Sequence, residues 1–535
     1  MLNVLHRKGQ LGLRLVISSS KVRKLVADLK NQEMKKLVIL GAGTAGCVAA
    51  AALARQLKPD LYEITVLDSS YIDGIGVGES VLPSFTAFLH TLGLDEQDFI
   101  RQSGASIKLG IQFRDWNGNN DSFFHHLGSL GCELDGFDFF NCWLKARSRG
   151  DLTPLQDYAP AAVMAGKQRF DLPGRFPPGS PLTGADHALL LEAGLVCRYL
   201  RDYAEQRKVK FIKAHAVRVN LGERGCIESL ELNNRESVAG DFFIDCSGSR
   251  GLLIGEGLGA DYESWKQFLP CDRAVAVQTP AHNVMPPYSV STAMESGWTW
   301  RIPLQKRLSS GYVFSSEHST DHRAISVLLD SLEGKPVREP HFIPFRNGMR
   351  KQLWKKNCIA LGLAGGFLEP LESTAFHLAI RGVEHMLELF PNLHEEKREW
   401  PTLAAEYDGR MRVDYEEIRD FIILHYCTSR RTDTEFWRRR QSLPVPDSLA
   451  ARIELFKSRA QLRVADNSLF DESSWFAVLT GMGVIPDSWH PFVDMADFAA
   501  IHQAMQVYKT QLCTAVAQLP AYEDFVNGVS TPTVE

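Results

Sequence analysis

The ten cysteines form no CxxC pair and follow no metal-ligand spacing, so no metal site is expected from them. They are scattered from Cys47 to Cys513, the pattern of reduced thiols in a cytoplasmic protein. No apolar run approaches the roughly 18 residues that a membrane-spanning helix needs, so no membrane association is expected. There is no excess of basic charge: the net charge is −5, which does not favour a nucleic-acid partner. Internal repeats and low-complexity blocks are also missing. At 535 residues the chain is too long for one simple core, and one large or two fused domains are expected.

Residues 1–33 are basic, and Arg14 interrupts their one apolar stretch, Leu11 to Ile17. A secretory signal needs an unbroken stretch and a small-residue cleavage site. The segment reads instead as a disordered extension or as lying upstream of the natural start, with Met34-Lys35-Lys36 as a natural beginning.

A nucleotide-binding order follows at once. Leu37 to Leu40 is a short apolar run suited to a buried parallel strand. It leads into Gly41-Ala42-Gly43-Thr44-Ala45-Gly46, then an alanine-rich helix-former from Ala49, then a second strand at Ile64 to Leu67 ending on Asp68. Strand, glycine loop, helix, strand and acid is the dinucleotide fingerprint. Gly41 allows the tight turn, Gly43 the approach of a pyrophosphate, and Gly46 close packing of helix on strand. The helix N-terminus faces the phosphates, with Thr44 and Ala45 in its first turn, and Asp68 is placed to hold a ribose hydroxyl. The fingerprint alone leaves NAD and FAD both open.

Three further segments carry a resemblance. Gly74-Ile75-Gly76-Val77-Gly78-Glu79-Ser80-Val81-Leu82-Pro83 resembles the GxGxGEAxxP signature of flavin-dependent halogenases, with Ser80 in place of alanine. Trp298-Thr299-Trp300-Arg301-Ile302-Pro303 is similar to their WxWxIP motif, and Phe367 to Thr374 to their FLEPLEST segment. Asp245 to Gly248, Leu269 to Ala274 and Phe421 to Trp437 are similar in the same order. On these motifs the chain resembles the flavin-dependent tryptophan halogenases from about Leu37 to Trp437.

The resemblance implies an α/β fold: an FAD-binding Rossmann-like module of the aromatic-hydroxylase/halogenase type over 34–385, with an inserted substrate sheet, and a mainly helical substrate-side region over 386–535. It implies FAD, used as FADH2, contacted by the glycine loop, Asp68, Gly78, Glu79, Asp245, Gly248 and Leu363. It implies a halide, chloride or bromide, on the backbone amides of Thr374 and Ala375, and oxidation of that halide to hypohalous acid at the flavin. Trp298 and Trp300 would separate flavin from substrate, Ser373 would contact substrate, and Glu372 would take the ring proton. A separate NAD(P)H-dependent flavin reductase is implied, since no second dinucleotide fingerprint appears. A homodimer is admitted.

Two departures from the pattern matter. Pro83 to Leu89 contains no lysine, where the resemblance leads one to expect it. The next lysine is Lys108, and it is taken as the activating group, against the plainer reading of an exposed strand-edge lysine. An ammonium would hydrogen-bond hypohalous acid, whereas a lysine of lowered pKa would form a haloamine, and the sequence leaves both open. Ile107 stands where tryptophan enzymes place an aromatic ring, so an indole, a phenol or a peptide-borne ring all remain candidates. The rival functions are an FAD-dependent aromatic hydroxylase and a flavin-binding homologue without turnover. Elsewhere, Leu191 to Glu205 reads as an amphipathic helix, His187 as a polar loop histidine, Arg438 to Arg440 as a solvated helix face, and Ser373 or Thr374 as the side-chain cap of a helix including Phe376 to Ile380.

Overall fold

The computed structural model describes residues 33–69, 78–118, 120–281, 285–395, 399–465 and 467–530. β1 (Lys35–Leu40), helix α1 (Thr44–Gln56) and β2 (Tyr62–Asp68) open the chain. The apolar run of β1 is buried on both faces because it is central in its sheet. That sheet continues with β8 (Lys210–Lys213) beyond β2, and with β9 (Phe242–Asp245), β16 (Cys358–Ala360) and β15 (Trp354–Lys355) beyond β1. All its pairs are parallel except β15 with β16. α1 buries Gly46 through Leu53, and its alanines let it lie close to the sheet and to helices α3 (Ala193–Glu205) and α4 (Ala375–Glu388).

A second, seven-stranded sheet has the order β14 (His341–Pro344), β10 (Arg273–Pro280), β13 (Arg307–Phe314), β12 (Gly297–Pro303), β11 (Ser289–Met294), β5 (Gly110–Arg114), β6 (Ser122–His126). Its pairs are antiparallel except β11 with β5. Strand alternation puts Trp298, Trp300 and Ile302 on one face of β12. Trp300 pairs with Gly311 across β13, and a Cβ on Gly311 would lie 2.1 Å from the indole. The bare glycine is what lets the ring lie flat there.

A three-stranded sheet lies against strands β12 and β13 of the seven-stranded one. β7 (Ala188–Glu192) pairs on one side with β3 (Gly78–Ser80) and on the other with β4 (Ser106–Lys108). Glu79, Ser80 and Lys108 therefore sit in one ladder although nearly thirty residues separate them. The amphipathic helix begins at Ala193, because Leu191 and Glu192 belong to β7 and pair with Glu79 and Gly78.

Beyond α4 the chain is helical, beginning with α5 (Pro401–Cys427). The largest apolar cluster runs from Leu37 to Val529, so the core continues across the expected division at 385. Among the described residues no helix is long and apolar enough to cross a membrane.

Candidate active site

The glycine loop closes against the end of β9. Leu40 and Asp245 are register partners, so the two segments expected to touch one cofactor emerge side by side. Gly41 has φ +110°, and a Cβ there would lie 2.3 Å from the Cys246 carbonyl. A Cβ on Gly46 would meet the Gly41 carbonyl at 1.9 Å. Both positions therefore require glycine. A Cβ on Gly43 would meet nothing within 4 Å: the front of α1 is open, with its first-turn amides lacking helix carbonyls ahead of them. This cradle fits a pyrophosphate. Asp68 closes β2 and accepts from Arg201 at 3.2 Å. Asp245 differs from its expected part as a contact. It is fully buried, and its oxygens accept from Ser247 N, Ser247 Oγ, Leu253 N and Ile254 N at 2.5–3.0 Å. It shapes the turn at Gly248 rather than reaching outward. Gly74 to Val77 lie outside the described residues.

At the other end of the site a short 3-10 turn, Pro370–Glu372, meets Ser373, whose φ is +65°. A left-handed backbone is costly for a residue with a Cβ, and here it turns the chain sharply into α4. Neither Ser373 nor Thr374 caps that helix through its side chain, which corrects the expected cap. The Ser373 hydroxyl is engaged elsewhere: the Lys108 ammonium donates to it at 3.1 Å and to the Val81 carbonyl at 3.2 Å. Lys108 lies on an edge strand of its sheet but is 0% exposed. Burial pushes its pKa down to about 8, against the pull of the neighbouring Glu372 carboxylate.

Glu372 is also 0% exposed. Nδ1 of His125 hydrogen-bonds its Oε2 at 2.9 Å. Nε2 of His425 lies 2.9 Å from Oε1. Burial raises this carboxyl, but the two imidazoles together outweigh it and hold it at about 2. His425 is itself fixed by Nδ1 on the Phe421 carbonyl at 3.0 Å. Lysine, carboxylate and two histidines thus converge from β4, the 3-10 turn, β6 and α5.

A cavity of about 270 Å³ is lined in part by Ser373, the residue that holds Lys108. Gly78, Glu79, Trp298, Trp300, Leu363 and Ala375 also line it, whereas Lys108 and Glu372 do not. Desolvation pushes Glu79 up to about 7. The Trp298 indole N–H donates to Glu369 at 3.3 Å, and the Tyr426 hydroxyl donates to the same oxygen. Burial raises the Glu369 carboxyl to about 7 even with these donors. The two tryptophans are therefore walls of a chamber as well as sheet-bracing core.

A sequence model of the family described as tryptophan halogenase matches residues 36–498. The chain belongs to the tryptophan halogenase family. Among solved structures it is similar to BrvH, a flavin-dependent halogenase from Brevundimonas sp. BAL3, at 40% identity and a TM-score of 0.88, covering 93% of this chain and 100% of that one. It is similar to Xcc4156, a flavin-dependent halogenase from Xanthomonas campestris, at 36% identity and a TM-score of 0.88, covering 94% and 99%. Among curated proteins, tryptophan 6-halogenase SttH of Streptomyces toxytricini is 32% identical over 92% of this chain and 97% of its own length. This halogenase is thus an enzyme that uses FADH2, oxygen and a halide, and it needs a flavin reductase and an aromatic substrate.

Sequence reading of this halogenase singled out Lys108, Glu372 and Ser373, and the fold brings them together. It missed His125, His425, Glu369 and Tyr426. His425 and Tyr426 lie inside the Phe421–Trp437 segment, which was marked only as a family stretch. His187 lies in a loop, as expected, but it is buried, 6% exposed, with its Nε2 2.6 Å from Glu96. Arg438 and Arg439 are exposed, but Arg440 is 5% exposed and lies over the Phe436 ring, so one member of the cluster belongs to the core.

Proposed function

We propose that this halogenase transfers halogen to an indole- or phenol-like ring, small or peptide-borne, with Lys108 presenting hypohalous acid and Glu372 accepting the ring proton. The observation that carries the reading is the buried Lys108–Ser373–Glu372 junction, of which Ser373 lines the cavity. With Lys108 titrating near 8 and Glu372 near 2, neutral solution holds an ammonium beside a carboxylate. The ammonium donates to the oxygen of H–O–X, which makes the halogen more electrophilic. The ring carbon bonds the halogen as the O–X bond breaks. The departing oxygen takes a proton from Lys108 and leaves as water, and the ring proton goes to Glu372. That proton returns to the lysine, so both groups are restored.

On the nucleotide side Gly41, Gly43, Thr44, Ala45, Gly46, Asp68, Gly78, Glu79, Gly248 and Leu363 would hold FAD, which when reduced supplies the electrons that activate oxygen for halide oxidation. The amides of Thr374 and Ala375, at the start of α4, would hold the halide. Trp298 and Trp300, which line the cavity, would keep a ring from the flavin, a role that favours halogenation over hydroxylation. Ile107 is buried in the core, its N–H bonded to the Tyr522 hydroxyl at 3.0 Å, so it offers no aromatic face to a free tryptophan. NAD(P)H would be oxidised on the separate reductase. Ten free cysteines accord with the reducing cytoplasm. The test is turnover with reductase, NADH, oxygen, bromide and a panel of indoles and phenols, read by mass spectrometry. Bromine isotope pairs are expected; added oxygen alone would overturn the reading.

A further inference from the structure

Two thiols meet behind the glycine loop. Cys47 is in the first turn of α1 and Cys197 near the start of α3, the helix that packs along α1. Cys47 Sγ lies 3.2 Å from the Ala42 carbonyl, and Cys197 Sγ lies 4.0 Å from the Thr44 hydroxyl. The two thiols also hydrogen-bond each other. No disulfide joins them, and all ten cysteines are free. The bond from Cys47 is the main cause that lowers the Cys197 thiol below its ordinary value; Thr44 adds to it and burial opposes it. The same bond, then burial, raises the Cys47 thiol well above its own. Cys197 is half-buried, whereas Cys47 is 1% exposed. A partly exposed thiol that ionises readily, set against a buried one, is the arrangement of an attacking and a resolving cysteine. An oxidant arises close by. Glu79, a wall of the cavity, is near enough for its charge to act on Cys197. FADH2 and oxygen, which the enzyme uses, yield FAD and hydrogen peroxide when no halide is oxidised.

We propose that Cys47 and Cys197 form a reversible oxidation site for hydrogen peroxide, and that their disulfide weakens FAD binding. The second half rests on the glycine-loop cradle proposed above. The Cys197 thiolate attacks one peroxide oxygen and the O–O bond breaks. The departing hydroxide takes up the proton that Cys197 released and leaves as water. Cys47 sulfur then attacks the Cys197 sulfenic acid: the S–S bond forms, the S–O bond breaks, and the hydroxide leaves with the Cys47 proton as a second water. Two thiols and one peroxide thus give one disulfide and two waters, with two electrons passing from sulfur to oxygen. Bonded sulfurs lie closer than hydrogen-bonded ones, so the first turn of α1 is drawn toward α3 and Cys47 no longer donates to Ala42. That moves the first-turn amides of α1 away from the pyrophosphate they would hold. An enzyme making peroxide instead of product releases its cofactor, until a thiol reductant reopens the disulfide.

The test treats wild type, Cys197→Ser and Cys47→Ala with hydrogen peroxide. Peptides are mapped by mass spectrometry without reduction, and FAD affinity is titrated by flavin fluorescence. In wild type a linked Cys47–Cys197 peptide, lighter by two hydrogens, is expected. FAD should bind about tenfold more weakly, the effect of one lost charge-assisted hydrogen bond, and dithiothreitol should reverse both changes. Neither change is expected in either variant. No linked peptide, a link to Cys246 instead, or a linked protein that binds FAD as tightly as before overturns the proposal. So does an equal loss of FAD affinity in Cys197→Ser. The link is read by mass, independently of the cofactor. A wild type that forms it, while Gly46→Ala leaves FAD affinity untouched, keeps the oxidation site and overturns the cradle instead.

Discussion

Replacing Lys108 with methionine separates what this residue does for catalysis from what it costs the fold. Its displacement from 10.5 to about 8 corresponds to about 3 kcal/mol of penalty for keeping the ammonium buried. The folded pKa is lowered, so that penalty is complete below about pH 8, shrinks between 8 and 10.5, and vanishes once the unfolded lysine also loses its proton. Methionine has nearly the same length and removes the penalty. It also removes two hydrogen bonds, to Ser373 and Val81, worth about 1 kcal/mol each. The balance is a stabilisation of about 1 kcal/mol, seen as a Tm at neutral pH equal to or slightly above that of wild type. Halogenation should fall by at least about 100-fold, the scale of a lost proton donor in the transition state, while FAD binding is unchanged. Scanning fluorimetry and product mass spectrometry read the two quantities on one sample. Halogenation at the wild-type rate, or a Tm lower by about 5 °C or more, would refute the claim that the lysine is kept buried for chemistry.

Three other outcomes follow from the same geometry. If the ammonium is the active form, the halogenation rate falls as pH rises through about 8; a rate that climbs through that range points to a free amine and a haloamine. Replacing His125 and His425 together by phenylalanine removes the groups that hold Glu372 at about 2. Desolvation then dominates and raises the carboxyl, so the acid limb of the rate profile moves to higher pH, whereas an unmoved limb shows that the histidines do not set Glu372. Gly46→Ala puts a Cβ 1.9 Å from the Gly41 carbonyl, and it is expected to abolish FAD retention, measured by flavin absorbance after gel filtration; full retention means that the loop is not the cradle described.

The nucleotide end of the protein was legible because its signal is local. Gly41 to Asp68 lie in one β-α-β unit, where Gly41 answers to the strand end beside it and Gly46 to Gly41. The lysine end is assembled across the chain. Lys108 bonds Ser373, 265 residues away, and His125 bonds Glu372, 247 residues away; no window of sequence contains both partners. The burial of Lys108 depends on β7 pairing with β3 and β4 at once. The expected side-chain cap at Ser373 or Thr374 failed because the left-handed Ser373 backbone sends that hydroxyl to the lysine. Arg440 was misread for a related reason: a polar residue in a polar stretch looks solvated until the element that covers it is known.

The most direct test of the account is one turnover experiment on an indole with reductase, NADH, oxygen and bromide, run on wild type, Lys108→Ala and Glu372→Gln with a thiol scavenger present. The account predicts a bromine isotope pair on the ring for wild type, and its loss in both variants while the scavenger is still oxidised in a bromide-dependent way. Ring bromination by either variant at the wild-type rate would contradict it.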